Sequence, residues 1–556
     1  MKMIRLLIII ICLMSCNCTA ISKTLYLRDY GILEASTHME RYEILRLFYS
    51  DVHANNATAS YEGINNLVLE LPPDVRPIQL PEENDFSNIT IKVINKQKDV
   101  YLFELTSPTS DVTISKEEVC SGRYSSPLLL NGNYLLLLQD KNLWTKREGF
   151  EEYIHRNEVL IVKNGKALNK TISLYNSDES MPSGKIVSIS ERGKSFSNLV
   201  FERDSLSIFK TGIIRVSNQY NFEMRNVHLN TPINTVLYED KAIQINSSAK
   251  VVLKDIAING TYSQVNKWGY GINLNNIYDL RIQGIKAEAN WGVFGCVYIN
   301  HAEIKDCDMN RFDLHCYGCD FDFANCTFRG SEAMPYSCFY GKMLFRNCRF
   351  LYAEPLHFRQ EYNANTPHEI YFCNCIFKLT PNYNGIVRMN RIKSLKSGRE
   401  ELKDDYLPNI RMKDCDVYVP NSVKRWHLVI VGNDSGVPMK GLNQIIIDGL
   451  KIHCNHNTVF DPFSEEIETI DSLYIKIRNA VCEFEDGVNQ PLYIKEATQG
   501  SKVSITCNKR IVHRRNSLLG FNDITSMIND TTYFLIASII GLISFWHIKE
   551  NNKKSA

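Results

Sequence analysis

One short pattern recurs eleven times along this chain: an apolar residue, any residue, then Asn, Asp or Gly, then a small or apolar residue. It begins as Phe196-Ser197-Asn198-Leu199, Met224-Arg225-Asn226-Val227 and Leu253-Lys254-Asp255-Ile256. Glycine takes the turn slot in Ile282-Gln283-Gly284-Ile285, and the slot then falls at Asp306, Asn325, Asn347, Asn374 and Asp414. Looser copies follow at Ile446-Ile447-Asp448-Gly449 and Ile477-Arg478-Asn479-Ala480, and the spacing between copies runs from 19 to 40 residues. A repeat of this length is the signature of a solenoid, each unit being one coil that buries its apolar face only against its neighbours. Apolar residues at alternate positions around each turn fit strands with one face inward. Asn, Asp and Gly suit a corner that needs left-handed backbone or side-chain-to-backbone bonds. Stacking places equivalent residues about 4.8 Å apart, so the corner residues form a ladder.

Cys307, Cys326, Cys348, Cys375 and Cys415 each follow a corner residue. Parallel side-chain vectors on adjacent rungs suit a stacked column of small apolar side chains better than disulfides. The sequence therefore predicts mostly free, buried thiols. It predicts a right-handed parallel β-helix from about Ser195 to Cys507, in an all-β chain.

Before the ladder, Leu25-Tyr26-Leu27-Arg28-Asp29-Tyr30-Gly31 precedes a helical stretch over 38–52, in which Met39, Tyr42, Leu45, Leu47 and Phe48 recur at near-helical spacing. Ser36 or Thr37 is the expected cap. An open solenoid end exposes core and unpaired backbone, so a capping helix is physically reasonable there. This opening resembles that of pectate-lyase-like β-helix proteins, with Leu69-Glu70-Leu71-Pro72-Pro73 as the first rung, although Leu33-Glu34-Ala35 replaces their Asp-Gly-rich stretch.

The termini read as membrane signals. Lys2 and Arg5 precede an apolar run from Leu6 to Met14, too short to span about 30 Å of hydrocarbon, so residues 1–20 read as a signal peptide. Leu13-Met14-Ser15-Cys16 resembles a lipoprotein box with Cys16 as the lipidated residue, and cleavage after Ala20 is the competing reading. Thr532 to Ile548 is uncharged and apolar, and Lys549, Lys553 and Lys554 follow it as in a cytoplasmic tail. The expected organisation is then a cap and first rungs over 21–95, early coils or an inserted β-subdomain over 96–194, and the β-helix over 195–510. A linker (511–531), a transmembrane helix (532–548) and a basic tail (549–556) complete it. With a net charge of +1, nothing points to nucleic acid, whose phosphates require concentrated positive charge. Eight Asn-x-Ser/Thr sites follow the leader, including Asn88, Asn246 and Asn433, a number an Asn-rich chain reaches by chance.

Polar chemistry concentrates in Asn310-Arg311-Phe312-Asp313-Leu314-His315-Cys316-Tyr317. In a strand, Arg311, Asp313 and His315 share one outward face, where they suit general acid–base work or the holding of a carboxylated sugar. A solvated face of mutually paired charges is the bland alternative. His357, Arg359 and Glu361 alternate in the same way, two coils on and about 10 Å along the axis, with Tyr362 beside them. Cys316-x-x-Cys319 next to His315 lacks the second pair a zinc site needs. Asp320 and Asp322 are the carboxylates for a calcium site, against a solvated turn.

From about Ile282 to Ile452 the chain resembles β-helix proteins of the Bacteroides and phage type, on Asn310, Arg311, Phe312, Asp313 and His315, then Arg359, Glu361 and Tyr362, then Ile447-Asp448-Gly449-Leu450. Glu361 and Asn363 stand where that pattern has Asp and Gly. Polygalacturonase-like motifs are incomplete: Arg391-Ile392-Lys393 is present without an upstream Gly-His-Gly, and Asp404-Asp405 comes after it. The expectation is an exported, membrane-anchored protein that acts on extracellular polysaccharide as a lyase or hydrolase, with a non-catalytic glycan-binding or adhesive surface protein as the alternative. Asp313, His315, Arg311, Arg359 and Glu361 are the expected catalytic residues, and Tyr317, His357 and Tyr362 the expected sugar contacts. Polysaccharide and membrane are the expected partners; no cofactor is expected, calcium being the one alternative.

Overall fold

The computed structural model describes residues 23–146, 153–171, 182–190, 192–230, 242–259, 270–287, 292–330, 332–334, 337–359, 368–382, 384–390, 405–406, 408–431, 439–440, 444–463, 473–484, 487, 489–491 and 503–508. The chain winds as a parallel β-helix. One interior column runs without a break through Phe196, Met224, Leu253, Ile282, Ile304, Phe323, Phe345, Phe372, Met412, Ile447 and Ile477, each in parallel register with the next. All are at most 2% exposed. Within it Phe323, Phe345 and Phe372 stack with ring centroids 4.9 and 5.1 Å apart. A second stack of Phe328, Phe350 and Phe377 keeps 5.0 Å spacing.

The corner that follows this column is set by backbone conformation. Asn198, Asn226, Asp255, Gly284, Asp306, Asn325, Asn347, Asn374, Asp414, Gly449 and Asn479 all have φ between +50° and +77°. L-residues pay roughly 1–2 kcal/mol for this region, Asn and Asp least. Here side-chain bonds between rungs offset that cost: Asn347 Nδ2 donates to Asn325 Oδ1 at 3.1 Å, and Asn374 Nδ2 to Asn347 Oδ1 at 3.3 Å. Where Asp occupies a corner, the residue above it is glycine in two cases, because a Cβ on Gly284 or Gly449 would overlap Oδ1 of Asp255 or Asp414. A neighbouring corner shows the benefit: Asp320 projects past Gly341 and accepts the Lys342 N–H at 2.9 Å. The sequence pattern is one residue out at its tenth copy. Gly449, not Asp448, stacks in the slot, since Lys413 pairs with Asp448 and Cys415 with Leu450.

Cys307, Cys326, Cys348, Cys375 and Cys415 are free and at most 2% exposed. Each Sγ lies near a backbone carbonyl, as Cys348 does with Phe323 at 3.5 Å, and burial together with the Cys348 and Cys415 thiols pushes the Cys375 thiol well up.

The first coils precede the ladder. Glu83–Ile94 and Val100–Thr106 lie in parallel register beside Lys194–Arg203 and Thr211–Ser217. Between them the chain leaves the solenoid and forms an antiparallel sheet whose long strands are Asn133–Lys146, Tyr153–Lys163 and Pro182–Ser188. One face of that sheet, including Leu136, Leu138 and Leu160, is covered by the short helices Lys116–Ser121 and Pro127–Leu130. The other, including Leu135, Val159 and Ile161, packs on Tyr220 and Ala249 of the solenoid.

The first helix spans His38–Ala54 and is capped by Thr37, whose side chain accepts from the Glu40 N–H. Its buried face is Tyr42, Leu45, Phe48, Tyr49 and Val52, and aromatic contacts continue from Phe48 through Tyr61 and Phe86 to Phe196. Met39 and Leu47, expected on that face, are 37% and 52% exposed because they lie off the contacting stripe. Among the described residues no helix is long and apolar enough to cross a membrane. The leader with Cys16 and the run Thr532 to Ile548 lie outside those residues.

Candidate functional site

Phe312 and Leu314 point into the solenoid and are fully buried, which turns Arg311, Asp313 and His315 to the other side of their strand. Contrary to the expected outward face, Arg311 is 4% exposed and Asp313 0%. The cause lies one coil earlier, in two residues that lack side chains. A Cβ on Gly292 would stand 3.0 Å from Arg311 Cδ, and one on Gly295 would overlap the Tyr270 ring. Gly292 thus makes room for the arginine stem, and Gly295, which pairs directly with Asp313, lets Tyr270 cross from the coil below.

The resulting cluster is a chain of polar contacts. Arg311 Nε donates to both carboxylate oxygens of Asp313, at 3.0 and 2.9 Å. Tyr270 OH donates to Asp313 Oδ2 and lies 2.7 Å from His315 Nε2. The phenol has one hydrogen and the carboxylate can only accept, so that hydrogen goes to Asp313. Nε2 must then donate to the phenol oxygen, an assignment made from the bonding network. In the neutral ring this leaves the lone pair on Nδ1. The Tyr270 and His315 rings meet edge to face, with centroids 5.5 Å apart. His315 itself is the extra residue of a bulge: Leu314 pairs with Cys296 and Cys316 with Val297, so no residue of the earlier coil opposes the histidine. Bulges re-aim side chains in this manner. The His315 side chain keeps 20% exposure while Asp313 keeps none, so of these two the histidine is the one that reaches solvent. Burial first, and the Asp313 carboxylate second, push the neighbouring Cys296 thiol well up.

The second expected cluster is only partly within view. His357, expected as a sugar contact, is 8% exposed. Near it in the same sheet, Glu354 Oε1 and Arg388 Nε form an ion pair at 2.6 Å, with Glu354 almost fully buried. The side chains of Tyr317 and Arg359, and Glu361 and Tyr362 entirely, lie outside the described residues. The proposed calcium carboxylates are engaged by protein: Asp320 by the Lys342 N–H and Asp322 by Arg346, at 2.5 and 3.2 Å. Among the described residues no three His, Cys, Asp or Glu side chains gather as a metal site requires. Burial and Asp320 push the Cys319 thiol up to about 12.

Sequence reasoning missed Tyr270, Glu354 and Arg388. Tyr270 stands 43 residues before Asp313, and its only sequence signal is the Gly-x-x-Gly of the next coil. A separate groove of about 900 Å3 crosses the outer face of the following sheet, passing Glu303, Asp322, Leu344, Tyr371, Arg411 and Ile446. These six occupy one register column, roughly 24 Å long at the usual strand spacing.

No family model matches the sequence, and no curated protein matches it. Solved structures do. The tailspike gp61 of Pseudomonas phage phi297 superposes with a TM-score of 0.52 at 13% identity, covering 83% of this chain and 80% of that one. The fold is one that phage tailspikes share. The tailspike gp49 of Pseudomonas phage LKA1 gives 0.48 at 12% identity, covering 79% of this chain and 74% of its own. Gp54 of Acinetobacter baumannii bacteriophage AP22, solved in complex with capsular saccharide, gives 0.41 at 10% identity and covers 87% and 79%. Identity this low speaks for architecture and leaves chemistry to the site.

Proposed function

We propose that the protein is an exported, membrane-anchored, right-handed parallel β-helix of the pectate-lyase-like, Bacteroides and phage type that binds and cleaves an extracellular polysaccharide. The observation that carries this reading is the chain Asp313–Tyr270–His315. A buried carboxylate, fixed by Arg311, holds a phenol that holds an imidazole at the solvent edge. His315 is the group that moves a proton, through Nδ1. In a lyase the proton comes from the carbon beside a uronate carboxylate; in a hydrolase it comes from water. When His315 becomes imidazolium, Asp313 Oδ2 stands 3.9 Å from Nε2 and stabilises the charge. Arg311 is committed to Asp313, so its role is to position the carboxylate, not to grip a sugar acid. Arg359 and Glu361 remain proposed catalytic residues, Tyr317, His357 and Tyr362 remain proposed contacts to the glycan, and calcium remains a proposed accessory.

A second reading, glycan binding without cleavage, is favoured by the groove past Tyr371. Within it Arg411 pairs with Glu369 at 2.6 Å. The test is to incubate the full-length protein with uronate-containing and neutral polysaccharides. Unsaturated products indicate a lyase, and new reducing ends without unsaturation a hydrolase. Loss of either product in His315→Ala and Asp313→Asn supports the proposal. Binding without any product, with the two variants changing affinity alone, selects the second reading.

A further inference from the structure

A cavity of about 620 Å3 lies where the antiparallel sheet meets the first coils and the first helix. Its volume is that of an ordinary small-ligand site. The apolar contact of Leu135, Val159 and Ile161 with Tyr220 and Ala249 fixes the sheet against the solenoid, so the walls are set by packing.

Lys194, the first residue of the strand that returns to the solenoid, lines this cavity with its side chain only 13% exposed. Its ammonium donates to Ser107 Oγ at 2.9 Å. The Ser107 hydroxyl hydrogen is turned to Gln219 Oε1, at 3.3 Å, which leaves the oxygen to accept from the lysine. The carboxylate paired with Lys194, Glu82, is 3.9 Å away on a side chain 46% exposed, so its attraction is screened by solvent. Burial lowers the Lys194 pKa, and the Glu82 carboxylate acts in the opposite direction. A cation held this way gains from an anion that enters the cavity.

The rest of the lining indicates what kind of anion. Ser110, Ser188 and Ser190 add hydroxyls that both donate and accept, the pattern that matches a polyol. Pro81, Tyr134 and Leu128 supply apolar surface for the carbon face of a sugar ring, and Leu128 is left 53% exposed. We propose that this cavity binds a carboxylated sugar, its carboxylate paired with Lys194 and its hydroxyls bonded to the serines. This place is distinct from the Tyr270–His315 cluster and depends on no step assigned there.

The test uses the full-length protein with glucuronate, glucose and inorganic phosphate as probes. Glucuronate is expected to bind by titration calorimetry, with at least tenfold loss of affinity in Lys194→Met and much of it retained in Lys194→Arg. Glucose and phosphate are expected to bind at least tenfold more weakly. Reductive methylation of the unaltered protein, read by peptide mass spectrometry, supplies a second measurement that needs no variant. Saturating glucuronate is expected to slow labelling of Lys194 at least fivefold and leave exposed lysines unchanged. Equal affinity for glucose or phosphate, undiminished binding in Lys194→Met, or unprotected Lys194 would each overturn the proposal. None of these outcomes bears on polysaccharide cleavage, so the two readings fail separately.

Discussion

Two regions of the same coils use polar residues in opposite ways. At the ladder corner, Asn325, Asn347 and Asn374 repeat one residue type in one conformation, and each bonds the rung beside it. In the neighbouring sheet, Tyr270, Arg311, Asp313 and His315 repeat nothing. They converge from two coils that are not adjacent, through gaps left by Gly292 and Gly295, onto a bulge. Repetition satisfies the backbone at low cost and builds length. The irregular cluster instead buries a charge pair, where well-packed apolar residues of similar volume often give equal or greater stability.

Breaking the pair has the largest expected effect. Asp313→Ala leaves the Arg311 guanidinium buried without its carboxylate and is expected to cost about 3–5 kcal/mol in denaturant unfolding. The double change Arg311→Met with Asp313→Leu sharpens the comparison. Apolar replacement of both partners is expected to restore most of that stability while abolishing product formation. Retention of activity in the double variant would make the pair structural, like the ladder.

The ladder gives a smaller effect, and one that depends on backbone. Asn347→Ala places a Cβ-bearing residue with no bonding side chain at φ +54°. It is expected to lose about 2–4 kcal/mol, from left-handed strain and two rung bonds together. Asn347→Gly removes the strain and keeps only the bond loss, about 1–2 kcal/mol. Equal losses in the two variants would show that φ does not set the corner.

The cysteine column gives the smallest effect. Cys348→Ala is expected to cost about 1 kcal/mol, since little volume is lost. A thiol reagent should label exposed Cys120 in the folded protein while Cys307, Cys326, Cys348, Cys375 and Cys415 react only on unfolding. Fast labelling of the column would contradict its burial.

The same contrast explains what was legible. The ladder could be read because each corner demands a residue that tolerates positive φ, and that demand is local. The one-residue slip at Asp448 arose because Asp448 fits the pattern as written, while the backbone required Gly449. The alternation of Arg311, Asp313 and His315 was also legible; their burial was not, because it depends on Gly292, Gly295 and Tyr270 in earlier coils. For the stretch between Val100–Thr106 and Lys194–Arg203 the sequence left early coils and an inserted β-subdomain both open, because the antiparallel strands there follow no repeat.

The central claim is that the irregular cluster works on a glycan while the ladder holds the coils together. The most direct test measures product formation and unfolding side by side for His315→Ala and Asn347→Gly. The account predicts that His315→Ala loses at least ~100-fold in turnover with stability little changed, and that Asn347→Gly loses stability with turnover intact. Equal turnover in His315→Ala and the unaltered protein would contradict it.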